Sequence, residues 1–310
     1  MHIPDGFVSV PVATVTSAAA IGAIALSLVR TRSTYGLKQG PILGLTTAFV
    51  FAAQMVNFPV TGGTSGHLLG GTLAAVLMGN PWAGTLSITT VLLIQAVLFA
   101  DGGITALGAN ILNMAVLGVW TGWILTQVIQ RLLGGSQRRL PLAAGIAAGL
   151  SVVVAAIACA IELVLSGTAA FQLAVPAMAG VHILIGLGEG IITAGVIGYL
   201  TKARPDLLPG AKPRLEQWQG PVIGVLLVAG VLSLLASSWP DGLEKVAEDL
   251  GFIRLAEEVR ITVPTPFADY GIEGLGPLGT TITGLLGSVV SFGAAFGIAK
   301  LVQPKRAEES

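Results

Sequence analysis

The sequence predicts an all-α fold: a polytopic membrane helical bundle of about nine transmembrane helices. Three observations predict it. Of 310 residues, 53% are hydrophobic and only 10% charged, against about 25% charged in soluble domains, and the mean hydropathy is +0.84. Nine apolar runs follow one another, most of them near the roughly 20 residues that cross a bilayer. Thirteen of the sixteen Lys and Arg residues fall in four clusters between those runs, the pattern that marks cytoplasmic loops.

The runs are 8–29, 41–57, 67–79, 84–100, 108–130, 141–165, 173–201, 218–237 and 279–300. No basic stretch precedes the first, so it reads as a retained span and not as a cleavable signal. The run 67–79 is short, and Gly79-Asn80-Pro81 separates it from the next. These two form either full spans or a broken, re-entrant pair, which is tolerable where protein buries it. The basic clusters are Arg30/Arg32/Lys38, Arg131/Arg138/Arg139, Lys202/Arg204/Lys212/Arg214 and Lys300/Lys305/Arg306. With all four in the cytoplasm, nine spans thread without conflict. The N-terminus is then outside, the C-terminus inside, and the loops 58–66, 101–107, 166–172 and 238–278 outside. The chain divides into a seven-span unit (1–205), a polar cytoplasmic linker (206–217) and a two-helix hairpin with a long outer loop (218–310). No inverted repeat is evident, which weighs against a typical secondary transporter. Acidic and basic residues balance at 16 each, so charge gives no reason to expect a nucleic-acid partner. The single Cys159, in an apolar run, excludes a disulfide framework or thiolate metal site.

The first residues carry chemistry of their own. Met1-His2-Ile3-Pro4-Asp5-Gly6 offers an α-amine, a peptide nitrogen and an imidazole. Together they close two small fused chelate rings and favour the flat nitrogen field of Ni(II) or Cu(II), accessible also to Co(II). This requires Met1 to remain, as a bulky second residue favours. Taken alone, a Met-His start means little. His67 lies in Thr61-Gly62-Gly63-Thr64-Ser65-Gly66-His67-Leu68-Leu69-Gly70-Gly71, whose glycines permit tight turns. The loop lacks GxxxxGK[ST] and is not a phosphate-binding loop. A helix beginning at His67 would hold its imidazole at the helix mouth, facing outward, able to give a fourth nitrogen. A merely solvated loop histidine fits the spacing too. The threading places His2 and His67 on the same outer side.

His182 and Glu189 are seven apart, on nearly one helix face inside the 173–201 run. Buried ionisable groups at membrane depth are costly. They read either as a conduction path or outer support of the site, or as polar contacts locking helices together. Glu162 reads the same way. Asp101, in an outer loop, would attract cations or orient a liganding histidine; turn chemistry accounts for it equally. Small residues at Ala18 to Ala23, and Gly293 with Gly297, permit close helix contact. HExxH is absent, and Ser65 and His67 are too close in sequence to meet on a regular helix, so an intramembrane enzyme is not expected.

Taken together, these segments closely resemble the CbiM/NikM family, the substrate-specific components of energy-coupling-factor ABC importers for cobalt and nickel. The matching pieces are Met1 to Gly6, the run from Asn57-Phe58-Pro59-Val60 to Gly71, and His182-Ile183-Leu184-Ile185-Gly186 through Glu189-Gly190, within residues 1–205. The stretch Pro240-Asp241-Gly242-Leu243-Glu244 through Phe252, with a closing span, resembles the companion subunit CbiN/NikN, so the chain looks like a fusion. The resemblance implies a metal site of the Met1 amine, the His2 amide and imidazole nitrogens, and His67. Co(II) or Ni(II) would be the transported ligand, with no cofactor of the chain's own. It further implies a prokaryotic inner membrane with its lipid, a CbiQ/NikQ-like coupling protein, and CbiO/NikO-like subunits that hydrolyse ATP. The companion-like outer loop would help load metal, and the Ala-rich first span would meet the coupling protein. The alternative is a stand-alone proton-coupled metal transporter relaying protons through Glu189 and His182.

Overall fold

The structure is a computed structural model that describes residues 1–34, 39–209, 218–258 and 265–302. It is helical almost throughout. The elements in order are α1 (Val10–Thr34), α2 (Gly40–Gln54), a two-stranded hairpin β1 (Phe58–Val60) and β2 (Thr64–Gly66), α3 (Gly71–Met78) and α4 (Pro81–Ile94), which runs on as a π-helical turn, Gln95–Phe99. Next come α5 (Leu107–Asn110), a π-helical stretch, Ile111–Gly118, and α6 (Val119–Leu132), forming one rod, and then α7 (Leu140–Leu165) and α8 (Phe171–Ala203). The C-terminal part holds α9 (Gln219–Gly230), α10 (Gly242–Leu250), α11 (Arg254–Glu258) and α12 (Pro277–Leu301).

Among the described residues, six stretches are long and apolar enough to cross a membrane: Val10–Arg32, Pro81–Phe99, Leu107–Leu132, Gln137–Leu165, Phe171–Ala203 and Pro277–Leu301. Two more, Gly40–Gln54 and Gln219–Leu235, are apolar but shorter. The third predicted run, 67–79, differs from the expectation. No helix begins at His67: residues 67–70 are extended, and α3 has only eight residues, about 12 Å of helix. The cause is local. β1 and β2 pair antiparallel, Phe58 opposite Gly66, and Gly70 takes a left-handed φ of 76°, which glycine adopts freely. Gly79 ends α3 in the left-handed region, and Asn80 caps α4 by accepting from the Trp82 and Ala83 amides, with Pro81 first in the helix. Gly79-Asn80-Pro81 is thus a stop and a start between two antiparallel segments.

Glycine sets the closest packing. A Cβ on Gly149 would sit 2.8 Å from the Gly186 carbonyl oxygen, and one on Gly186 2.7 Å from that of Gly149. So α7 and α8 touch backbone to backbone, as small-residue faces allow. The last helix does not stand apart. Phe292 of α12 lies 2.8 Å from where a Gly44 Cβ would be, so α12 packs into α2. On the outside, α1 presents Val15, Ile21 and Val29 to the surroundings, as a lipid-facing helix does.

The described basic residues of the four clusters lie at or near helix ends. Arg30 and Arg32 close α1, Arg131 closes α6, Arg138 and Arg139 precede α7, Lys202 and Arg204 end α8, and Lys300 ends α12. Lys38, Lys212, Arg214, Lys305 and Arg306, and residues 210–217 of the expected linker, lie outside the described residues.

Candidate metal centre

The first nine residues form no helix; they thread into the end of the bundle. Ile3 and Phe7 are fully buried. Asn110 holds Ile3 reciprocally, its Oδ1 accepting the Ile3 amide at 2.8 Å and its Nδ2 donating to the Ile3 carbonyl at 3.0 Å. The Gly103 amide donates to that same carbonyl at 2.8 Å. Asp5 accepts from the Ile104 and Thr105 amides at 3.3 and 2.7 Å and from the Thr105 hydroxyl. A Cβ at Gly103 would lie 2.7 Å from the Pro4 carbonyl carbon, so only glycine lets the tail pass. These contacts aim the α-amine inward.

The Met1 nitrogen lies 2.9 Å from His67 Nε2. His67 Nδ1 lies 3.1 Å from the Leu68 carbonyl oxygen; it donates there, so Nε2 carries the lone pair and accepts from the amine. The His2 ring stacks on that of His67, centroids 5.0 Å apart and planes 14° apart. Met1, His2 and His67, 66 positions apart at the extremes, are therefore brought together. His67 is buried, 8% exposed, and does not face outward as the sequence led us to expect. Burial first, then the Met1 ammonium and His2, push its pKa down to about 3, so it is neutral.

Asp101 joins this group. Its Oδ1 accepts from His2 Nδ1 at 3.0 Å and its Oδ2 from the Tyr270 hydroxyl at 2.5 Å. The preceding residue, Ala100, has a positive φ of 56°, which turns Asp101 back over the tail. Burial would raise the Asp101 pKa, but His2 and the Tyr270 hydroxyl outweigh it and hold the carboxyl below the usual range. His2 Nε2 is buried and unpartnered.

His182 and Glu189 both sit near the site without touching each other through hydrogen bonds. Glu189 accepts from the Leu69 amide at 2.6 Å and the Gly70 amide at 3.0 Å, while Gln54 Nε2 donates to the Leu69 carbonyl at 2.9 Å. These bonds hold the extended segment that carries His67. His182 Nδ1 bonds the Met178 carbonyl one turn back, at 2.8 Å, and its Nε2 is buried and unpartnered. It lines a cavity of about 10 Å³ with Met1, His67, Asp241 and Gly242, room for a single water or ion. Glu162 lies elsewhere, bonded to Asn113 Nδ2 at 2.6 Å.

One residue escaped the reading of the sequence as a site residue. Asp241 Oδ2 is 2.6 Å from the Met1 nitrogen, an ion pair with the ammonium. Burial opposes its charge, but the ammonium and His67 prevail and keep its pKa below the usual carboxylate range. The local signal was available: Asp241 and Glu244, three apart, are a capping box that starts α10. Nothing local could show that the cap's second oxygen meets residue 1. Among the described residues, no three or more His, Cys, Asp or Glu side chains form a metal-holding group. The nitrogen donors gathered here are two imidazoles and main-chain nitrogens, with the Asp101 and Asp241 carboxylates against them.

The profile of the cobalt uptake substrate-specific transmembrane region, CbiM, matches residues 2–207. The chain belongs to the CbiM family. The PDGLE domain profile matches residues 217–304. The fused nickel transport protein NikMN of Rhodobacter capsulatus is 34% identical, with 98% of this chain and 99% of that protein covered. The cobalt transport protein CbiM of Geobacter sulfurreducens is 31% identical over 99% of this chain and 91% of its own length. A crystal structure of a truncated transition metal transporter superposes with a TM-score of 0.59 at 34% identity, covering 65% of this chain and 98% of its own. These relatives are named as transport proteins, and their names include both metals.

Proposed function

We propose that this chain is the metal-capturing membrane component of an energy-coupling-factor ABC importer of Co(II) or Ni(II), with ATP hydrolysed by partner subunits. The ion binds the Met1 amine, the His2 amide and imidazole nitrogens, and His67 Nε2. The observation that carries this reading is the 2.9 Å approach of the Met1 nitrogen to the lone-pair face of His67. Small fused rings require His2 Nδ1, which here faces Asp101, so capture turns the His2 ring about its Cβ–Cγ bond. A nitrogen set excludes Mg and Ca, which want oxygen, and follows the intrinsic order Cu over Ni over Co. Availability and geometry then select the cargo, and relatives named for nickel and for cobalt support the same class.

The four basic clusters face the cytoplasm of a prokaryotic inner membrane, which leaves the N-terminus and the site outside and the C-terminus inside. Residues 1–205 hold the metal, 206–217 link, and 218–310 cover the site. Withdrawing Met1 and His2 from His67 dismantles the coordination and releases the ion when the CbiQ/NikQ-like and CbiO/NikO-like partners drive rearrangement. The proton-relay alternative finds less support, because both Glu189 oxygens are engaged by backbone amides.

The test replaces His2 with glutamine, which removes the imidazole while a bulky second residue keeps Met1 in place. The variant is expected to enter the membrane normally and to lose ATP-driven nickel uptake in vesicles holding the partners. Uptake at the unaltered rate would refute the chelate. Uptake driven by a proton gradient without an ATPase would favour the alternative.

A further inference from the structure

The outer segment of the C-terminal part delivers one carboxylate to the N-terminal amine, and several bonds fix it there. The Ser65 amide donates to the Pro240 carbonyl at 2.8 Å, and the Ser65 hydroxyl to that of Trp239 at 2.8 Å, so residues 239–241 lie as an added bridge along β2. Asp241 then serves two separate groups. Its Oδ1 accepts from the Leu243 and Glu244 amides at 2.8 and 2.9 Å and starts α10. Its Oδ2 accepts from the Met1 ammonium at 2.6 Å. Glu244 Oε2 accepts from the Asp241 amide at 2.9 Å, the second half of the helix-capping box. Gly242 completes the seat: a Cβ there would be 2.8 Å from His182 Cε1, so a side chain would lift Asp241 off the amine.

We propose that Asp241 is a positioning residue for metal capture, holding the Met1 nitrogen against His67 and balancing charge at the loaded site. The inference rests on the nitrogen site proposed above and assigns a part of it to the C-terminal hairpin. A chain terminus has the most conformational freedom to lose on ordering. Two partners restrain the Met1 nitrogen here, His67 and Asp241, and the first must turn its lone pair to the ion. A metal-bound amine keeps two N–H bonds, so Asp241 can accept one throughout, as carboxylates do behind ligating histidines.

The full-length protein in detergent is titrated with Ni(II) against a competing chelator, as the unaltered chain, Asp241→Asn, Glu244→Ala and His67→Ala. Asparagine is as good a cap as aspartate, but with its one carbonyl oxygen on the cap its NH₂ faces the amine, donor against donor. Glu244→Ala removes a capping-box partner and leaves the Met1 contact. The expected result is that His67→Ala abolishes tight binding. Asp241→Asn weakens it about 10- to 100-fold, the usual effect of losing a partner behind a ligand, with the same ligand-field spectrum at saturation. Glu244→Ala binds like the unaltered chain. Normal affinity in Asp241→Asn, with His67→Ala inactive, would overturn this role and leave the nitrogen site standing. Equal losses in Asp241→Asn and Glu244→Ala would reduce Asp241 to a helix cap. Normal affinity in His67→Ala would remove the nitrogen site and this inference with it.

Discussion

Glu189→Gln separates a structural carboxylate from a proton relay. Glu189 is fully buried, and each of its oxygens accepts one backbone amide, from Leu69 at 2.6 Å and from Gly70 at 3.0 Å. Glutamine keeps the shape but offers one acceptor, so one amide loses its partner and meets an NH₂ group. A buried donor left unsatisfied costs about 1–3 kcal/mol. Taking about 2 kcal/mol, the open population of the 66–70 segment rises roughly 30-fold, since about 1.4 kcal/mol is a factor of ten. Hydrogen–deuterium exchange of a peptide spanning Gly66 to Gly71 is expected to quicken by that factor. Ni(II) affinity falls with it, because His67 rides on the same segment. Unchanged exchange would refute the reasoning. Unchanged exchange with loss of proton-driven uptake would reinstate the relay.

Two further outcomes follow from the geometry. Gly103→Ala places a Cβ against the Asp5 nitrogen and 2.7 Å from the Pro4 carbonyl carbon. Backbone cannot swing aside as a side chain can, so the tail shifts, at about 1–3 kcal/mol. Weakened Ni(II) binding with intact membrane insertion checks it, and normal affinity would show that the tail is not held where it is described. Acid should also loosen the site. The His67 pKa falls from 6.5 to about 3 on folding. Its contribution to stability is therefore complete above 6.5 and is lost as pH falls toward 3. Asp101 and Asp241, lowered from 3.8, contribute fully down to about that pH and do not tilt the range above it. Between pH 7 and 4 the denaturant stability of the unaltered protein should fall relative to that of His67→Gln; parallel profiles would contradict this.

Much of the fold is legible because its signals are local. Long apolar runs give the six full-length helices, and Gly79-Asn80-Pro81 announces both the end of α3 and the start of α4. The run at 67–79 misleads because apolarity does not separate a helix from an extended segment that buries the same side chains. What keeps residues 67–70 extended is Glu189, 119 and 120 positions away from its partners, and Gln54. The site divides similarly. Met1, His2 and His67 stand out by type and setting, and Asp101 could be seen as a candidate support for a histidine. Asp241 could be read only as a helix start, because its pairing with Met1 spans 240 positions and leaves no periodicity. The heptad spacing of His182 and Glu189 does put them on one face of α8, but each bonds a different stretch of backbone.

The most direct measurement is X-ray absorption at the nickel edge on the purified, nickel-loaded protein. The account predicts a first shell of light donor atoms with the edge features of a flat four-coordinate field, lost in His2→Gln. Sulfur in that shell, a six-coordinate edge, or the same spectrum from His2→Gln, would contradict it.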